Sequence, residues 1–436
     1  MTPKSNSKKS GPARKQRVTT QGPAVTFAVL TDLHAFDKTA RSDTENSRPA
    51  PSWLPIDDGA SNPSKHPFRA LEELISEQRL KADFVVCCGD MTDKAHPASQ
   101  AYVWRRLQDI KRGLGAERVI ATAGNHDIDS RYGYNNFDAK GVLQTLQPSF
   151  PMEDDAFADR YWSRNFAIFK SSALRLVNLN SAAYHGMGRE NKEYETGRVS
   201  ERTIDALSRE LKADGYQALN VLLCHHHPLR NSLITVNDYS EMVDGEKLIQ
   251  ALDELNVGDW FILHGHRHVP NLTHGPGSAA PPIVFSAGSF SANLYGEFQS
   301  STRNEFYLVS LEPSVSLNGT RQQLRGTIRT WMWSTTNGWI RSQAGSVGLP
   351  HEAGFGSRRH PSELAADVRN FLQKQNERQV PFTRWRDICD ALPDLRHTMP
   401  RALWNAFEEL RDTHGVEVVY DDIGLPAQLS LPDGSA

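Results

Sequence analysis

The 436-residue chain is 38% hydrophobic and 23% charged with a formal net charge of −3, an ordinary composition for a globular protein with room for a catalytic domain and a smaller unit. That balance excludes a global attraction to polyanions, and no apolar run nears the roughly 20 residues that span a bilayer. Four cysteines make no disulfide framework and suit a reducing, cytoplasmic setting.

Residues 1–23 carry Lys4, Lys8, Lys9, Arg14, Lys15 and Arg17 with no acid and no apolar stretch behind them. They read as a disordered basic tail rather than a secretory signal. From Val25, buried-strand patterns at 27–30, 84–86, 119–121, 174–177, 219–223 and 260–263 alternate with helical periodicity at 68–77, 101–111, 201–211 and 245–255. Strand patterns without helices follow at 283–286, 306–310 and 327–331. A βα-alternating half that ends in a β-rich half predicts packed sheets flanked by helices. Residues 37–66 read as a long loop, of the length that often forms a lid, and the Gly- and Ser-rich stretch 336–357 as a linker. Residues 358–436 read as a small, mostly helical unit, with helices at 361–375, 382–392 and 400–411 and a hairpin from 416–420 and 428–431, an arrangement that suits a winged helix among other small domains. From Ser357 onward there are 10 basic and 13 acidic side chains, which disfavours nucleic-acid binding and leaves a packing role or a protein partner.

Five polar signatures fall at or just past predicted strand ends, where α/β sheets place their ligand sites. Asp32-Leu33-His34 offers a carboxylate and an imidazole two residues apart, on one side of an extended chain. In Gly89-Asp90, the carboxylate has two oxygens with which to bridge two cations. Gly124-Asn125-His126-Asp127 combines an amide oxygen with a histidine free for proton chemistry, and Asp127 is placed to orient that imidazole. His225-His226-His227-Pro228 and Gly265-His266-Arg267-His268 complete the set. Six of the sixteen histidines crowd into these last two strand ends, which core histidines do not ordinarily do; His225 and His264 read as buried or surface imidazoles outside the ligand set.

In order, the five blocks resemble the pattern D-x-H, G-D, G-N-H-[DE], H, G-H-x-H of the calcineurin-like metallophosphoesterases, over roughly residues 25–335, with Gly197-Arg198-Val199-Ser200 matching the stretch that precedes the fourth block. The resemblance implies a four-layer α/β/β/α sandwich (catalytic domain 24–335) and a dinuclear site. One metal would take Asp32, His34, Asp90 and His268, the other Asp90, Asn125, His226 and His266. His226 is preferred in its block because it lies two residues before Pro228, with its neighbours as alternatives. The ions would be divalent or mixed-valence, and an all-N/O donor set suits Mn, Fe, Zn or Co. The implied reaction is metal-activated hydroxide attack on a phosphodiester or phosphomonoester, with His126 assisting the leaving oxygen and Asp127 behind it. Within the family the resemblance points to the class III cyclic-nucleotide phosphodiesterase-like branch and a small nucleotide-like substrate, with Tyr132, Tyr134, Phe137, Tyr161 and Trp162 as candidates to stack a base or pack a core. A DNA nuclease and a catalytically silent metal-binding scaffold are the competing readings. The absence of a basic stripe opposes the first, and the intact blocks oppose the second.

Overall fold

The computed structural model describes residues 23–57, 62–186, 196–231, 233–234, 240–277, 281–294, 302–315, 322–345 and 347–432. All but the last residue of the expected basic tail lies outside them.

The apolar runs form strands: Val25–Leu30 (β1), Phe84–Cys87 (β2), Arg118–Ala121 (β3), Phe166–Lys170 (β4), Arg175–Leu179 (β5), Leu219–Leu223 (β6), Asp259–His264 (β7), Asn271–His274 (β8), Ile283–Ser286 (β9), Glu305–Val315 (β10), Gln322–Ser334 (β11), Gly338–Arg341 (β12), Glu352–Phe355 (β13), Phe382–Arg384 (β14), Glu417–Tyr420 (β15) and Pro426–Ser430 (β16). The longer helices are Pro67–Gln78 (α1), Pro97–Leu114 (α2), Asp155–Arg164 (α3), Glu201–Asp214 (α4), Gly245–Leu255 (α5), Pro361–Glu377 (α6), Trp385–Ala391 (α7) and Pro400–His414 (α8).

One sheet runs β12-β11-β10-β1-β2-β3, with β13 also paired to β11; the other runs β4-β5-β6-β7-β9-β8. Alternation within the second sheet explains the layering. Val221, Leu223, Phe261, Leu263, Ile283 and Phe285 join the large core shared with the first sheet. Their neighbours Leu222, Trp260, Ile262 and Val284 face outward with Leu207 and Leu211 of α4 and Leu248 and Leu252 of α5. Period-two burial on both faces requires cover on both faces. On the opposite flank α1 and α2 bury Phe68, Leu71, Val103 and Leu107 in the large core. The result is the α/β sandwich with two packed sheets. Helix α4 illustrates the local logic: the Ser200 side chain caps it by accepting from Thr203 N, Ile204, Leu207 and Leu211 form its buried stripe, and the chain leaves at Gly215.

Register aligns the functional ends. Leu30 pairs with Cys87 and Cys87 with Ala121 in parallel, so the blocks that follow β1, β2 and β3 emerge at one edge. Leu223 pairs with Leu263, which does the same for the two histidine blocks.

Two expectations change. The stretch 336–357 is not a linker: β12 and β13 both pair with β11, and buried Trp339 donates its indole N–H to Pro67 O at 2.9 Å. The glycines that suggested a linker serve turns and close sheet contacts there; a side chain at Gly354 would collide with the Arg396 carbonyl. The 37–66 loop is anchored rather than loose in its described part. Leu54 is wholly buried, Phe36 bridges to Pro55, and Ser52 Oγ donates to His34 O at 2.8 Å.

The C-terminal segment gathers its own apolar cluster from Leu364, Val368, Leu372, Ile388, Phe407 and Leu410. The stretch expected as one helix at 382–392 begins as β14, which joins the hairpin strands in the order β14-β16-β15. Ser357 N donates to His397 O at 2.8 Å, and His397 Nε2 lies 3.1 Å from Glu312 Oε1 on β10, which ties this segment to the first sheet.

Candidate metal centre

The donor residues do not continue their strands. Asp32, His34, Asp90, His266 and His268 have φ of 51°, 48°, 53°, 81° and 60°, five of the thirteen non-glycine residues with positive φ in the described chain. Such conformations cost energy and gather where function over-determines the backbone. The expected one-sided presentation of i and i+2 on extended chain is therefore corrected: successive left-handed turns aim these side chains. The turns are held by Asp32 N donating to Gly89 O at 3.0 Å and His34 N to Asp90 O at 3.0 Å. Gly89, at φ 98°, leaves room where a Cβ would stand 2.8 Å from both Gly124 N and His225 Nδ1.

All seven expected ligand residues converge on one cluster, with Asp32, His34, Asp90 and His226 buried and Asn125, His266 and His268 half-buried. His34 Nε2 lies 3.3 Å from His268 Nε2 and 3.6 Å from Asp90 Oδ2, and His268 Nε2 lies 3.4 Å from Asp32 Oδ1. On the other side of Asp90, the Asn125 Oδ1 atom is 3.1 Å from His266 Nδ1 and 3.1 Å from His225 Nε2. His226 Nδ1 faces Ser181 Oγ at 2.9 Å, and its Nε2 is buried without a hydrogen-bond partner among the described residues. Four triads have donor atoms mutually within 4.8 Å: Asp32-His34-His268, His34-Asp90-His126, Asp32-Asp90-His225 and His225-His226-His266. Facing imidazole nitrogens and an orphaned buried nitrogen are the polar imbalance that a cation resolves, so the donor set fits metal ions.

Burial pushes His34 down to about 4, and burial together with neighbouring imidazoles holds His226 and His266 well below the ordinary histidine value. Burial alone would raise Asp90, but the His225 and His126 charges outweigh it and hold the carboxyl well below its usual range. Neutral imidazoles beside ionised carboxylates are the protonation state that metal ligation requires. His225 differs: burial opposes its charge, yet Asp90 outweighs burial and lifts it to about 9.

The fourth block thus contributes more than expected. His225, set aside from the sequence, is wholly buried with its Nε2 3.3 Å from Asp90 Oδ2, beside rather than instead of His226. His227 is stacked against His266 with ring centroids 5.8 Å apart and belongs to none of the four triads.

A calcineurin-like phosphoesterase family model matches residues 25–270, more than half of the chain. The chain belongs to the calcineurin-like phosphoesterase family. Family membership carries the coarse function, hydrolysis of phosphoesters with metal. No curated protein matches the phosphoesterase significantly. Among solved structures it is similar to PhoD (9% identity, TM-score 0.41, 76% of this chain and 74% of that one). It is also similar to the purple acid phosphatase PPD1 from seeds of yellow lupin, Lupinus luteus (13%, 0.43, 73% and 53%), and to TT1561 of Thermus thermophilus (13%, 0.33, 66% and 94%). The chain spans about half the length of the lupin enzyme. At these TM-scores none of the three bears on what the phosphoesterase acts upon.

The pairing expected for His126 changes. Its Nδ1 lies 3.2 Å from Asp93 Oδ1, while its backbone N–H donates to Asp90 Oδ1 at 2.8 Å. Asp127 is instead a buried brace: Oδ2 accepts from Gly124 N at 2.9 Å and Oδ1 from Thr92 N at 3.2 Å. Burial and the nearby Asp90 charge push its carboxyl up to about 7. Asp127 points back into the loop because its backbone turns with Gly124, whereas Asp93 sits one turn beyond Asp90 and faces the imidazole. The spacing Asp90-x-x-Asp93 was the overlooked signal.

His185 was also missed. It is buried beside His226, ring centroids 5.1 Å apart, with neither ring nitrogen hydrogen-bonded among the described residues. Nothing in its sequence surroundings announces it. The aromatic group expected near the substrate divides. Tyr161 is core, its hydroxyl bonded to Thr122 Oγ1 and Ala123 N at 2.9 Å each, and Trp162 packs beside it. Tyr134 and Phe137 are exposed. No described helix is long and apolar enough to cross a membrane.

Proposed function

We propose that this phosphoesterase uses a dinuclear centre to hydrolyse a small phosphoester, a phosphodiester in the first instance. The observation that carries the reading is the convergence of donors from all five strand-end blocks around the single carboxylate of Asp90. In it, Asp32, His34, Asp90 and His268 would hold one cation, and Asp90, Asn125, His266 and the fourth-block histidine His226 would hold the other. Bound divalent ions, Mn, Fe, Zn or Co by donor type, supply Lewis acidity and lower the pKa of water at neutral pH.

The chain's own groups do the rest. The left-handed turns hold the donors before substrate arrives, so little reorganisation is needed as charge builds on the phosphoryl oxygens. His126, next to a donor but facing Asp93, delivers a proton to the leaving oxygen. Asp93 favours the charged imidazole and fixes its orientation. A nucleotide-like substrate, as in the cyclic-nucleotide branch, is the finer reading, supported by exposed Tyr134 and Phe137 following the His126 block. The catalytic unit is taken to run from residue 24 through β13, with 358–436 appended as a unit suited to a protein partner, and the setting to be cytoplasmic.

The test is a screen of Mn²⁺-loaded protein against mono- and diester model substrates, cyclic nucleotides and single-stranded DNA. Preference for a small diester supports the proposal. Activity confined to DNA, with affinity falling steeply in salt, would replace it by a nuclease.

A further inference from the structure

We propose that the histidine run gives one metal position two imidazoles, His225 and His226, so that with His266 three imidazole nitrogens enclose it. The proposal rests on the dinuclear reading above and adds a ligand to it, since the five-block pattern asks for one histidine at this place.

The geometry comes from two separate anchors. His225 Nδ1 lies 2.8 Å from Cys88 O. A carbonyl only accepts, so Nδ1 keeps its proton, and Nε2 is the nitrogen on which a cation would take the place of the proton that Asp90 otherwise favours there. That Nε2 stands 3.1 Å from Asn125 Oδ1 and 3.3 Å from Asp90 Oδ2, among donors already assigned to the site. His226 is anchored on the other side, its Nδ1 at Ser181 Oγ, 2.9 Å away. Its Nε2 is left in the interior, buried and unbonded among the described residues. The same serine hydroxyl accepts from both backbone amides, His225 N at 3.3 Å and His226 N at 3.2 Å, and so fixes the turn that sends two consecutive rings inward. The ring centroids are 4.8 Å apart for His225–His226, 4.6 Å for His226–His266 and 5.1 Å for His225–His266. The donor nitrogens of all three fall within 4.8 Å of one another.

The consequence is a pair of unequal metal positions. One is served by Asp32, Asp90, His34 and His268, half of it carboxylate. The other is served by three imidazoles with Asn125 and the shared Asp90. Imidazole-rich sites favour Zn²⁺ and Co²⁺ over Mn²⁺ more strongly than carboxylate-rich ones. The position beside the histidine run should therefore be the one that fills first with Co²⁺ and last with Mn²⁺.

The experiment is calorimetric titration of metal-stripped full-length protein with Co²⁺ and with Mn²⁺, together with the visible absorption of bound Co²⁺. Wild type should bind two equivalents, with the two affinities further apart for Co²⁺ than for Mn²⁺. His225→Ala and His226→Ala should each weaken one equivalent by about tenfold or more and alter its Co²⁺ absorption. His227→Ala should leave both equivalents in place. Binding of no cation by the wild type would defeat the dinuclear reading itself. Two equivalents in the wild type, with His225→Ala or His226→Ala leaving both affinities and the Co²⁺ spectrum unchanged, would overturn the proposal alone. Circular dichroism of each variant separates loss of a ligand from loss of fold.

Discussion

The imidazole of His126 reaches Asp93, Nδ1 to Oδ1 at 3.2 Å, and not the Asp127 that follows it in the chain. The distinction separates a positioning carboxylate from a structural one, and the two should respond differently to substitution.

For the first, His126→Ala should cut kcat by about 10²- to 10⁴-fold while metal content by mass spectrometry stays at the wild-type level. Asp93→Asn should lower kcat by less, with KM and metal content little changed. Equal loss of metal and turnover in His126→Ala would remove the proton-transfer role.

Asp127 carries two buried amide bonds, from Gly124 and Thr92. Asp127→Ala orphans both donors, at about 1–3 kcal/mol each, and should appear as a lower midpoint in urea. Asp127→Asn keeps an acceptor oxygen and should fall between wild type and the alanine variant.

Glu305 gives a pH-dependent stability. Burial raises its carboxyl to about 8, against the lowering effect of the Tyr307 hydroxyl, which donates to Oε2 at 2.5 Å. The folded state therefore holds a proton that the unfolded state, at about 4.3, has released. This contribution is fully present below the unfolded value and is lost as pH rises through about 8. Glu305→Gln should flatten that decline in denaturation midpoints measured from pH 5 to pH 8.5, and an unchanged slope would reject the assignment.

Gly265 precedes the last histidine block. A Cβ there would overlap Thr31 Oγ1 and Asp32 Oδ2, the carboxylate that also accepts from His266 N at 3.0 Å. Gly265→Ala should displace Asp32 and reduce bound metal with little change in helix content, read by metal analysis beside circular dichroism.

Much of this centre is legible in the sequence because each block is a polar interruption directly after an apolar strand, as in Leu219–Leu223 followed by His225 and His226. What escaped was geometry that composition does not encode. Asp93 is three residues from Asp90 on a turn, so its facing His126 depends on how two loops cross. His225 stood outside the expected set because the resemblance asks for one histidine two residues before Pro228, which is His226; Ser181, forty-four residues away, turns both rings inward. Strands β12 and β13 were hidden in glycine-rich sequence because a strand paired along β11 needs close backbone approach more than side-chain bulk. Edge strand β8, Asn271–His274, lacks the apolar pattern because burial there is only partial.

The central claim is that Asp90 joins two metal positions in a working phosphoesterase. It is tested most directly by measuring metal bound per chain and hydrolysis of a model phosphodiester in the same preparations of wild type and Asp90→Asn. The account predicts two equivalents and turnover in wild type, and loss of both bound metal and turnover in Asp90→Asn with the fold retained. Full metal content and undiminished hydrolysis in Asp90→Asn would contradict it.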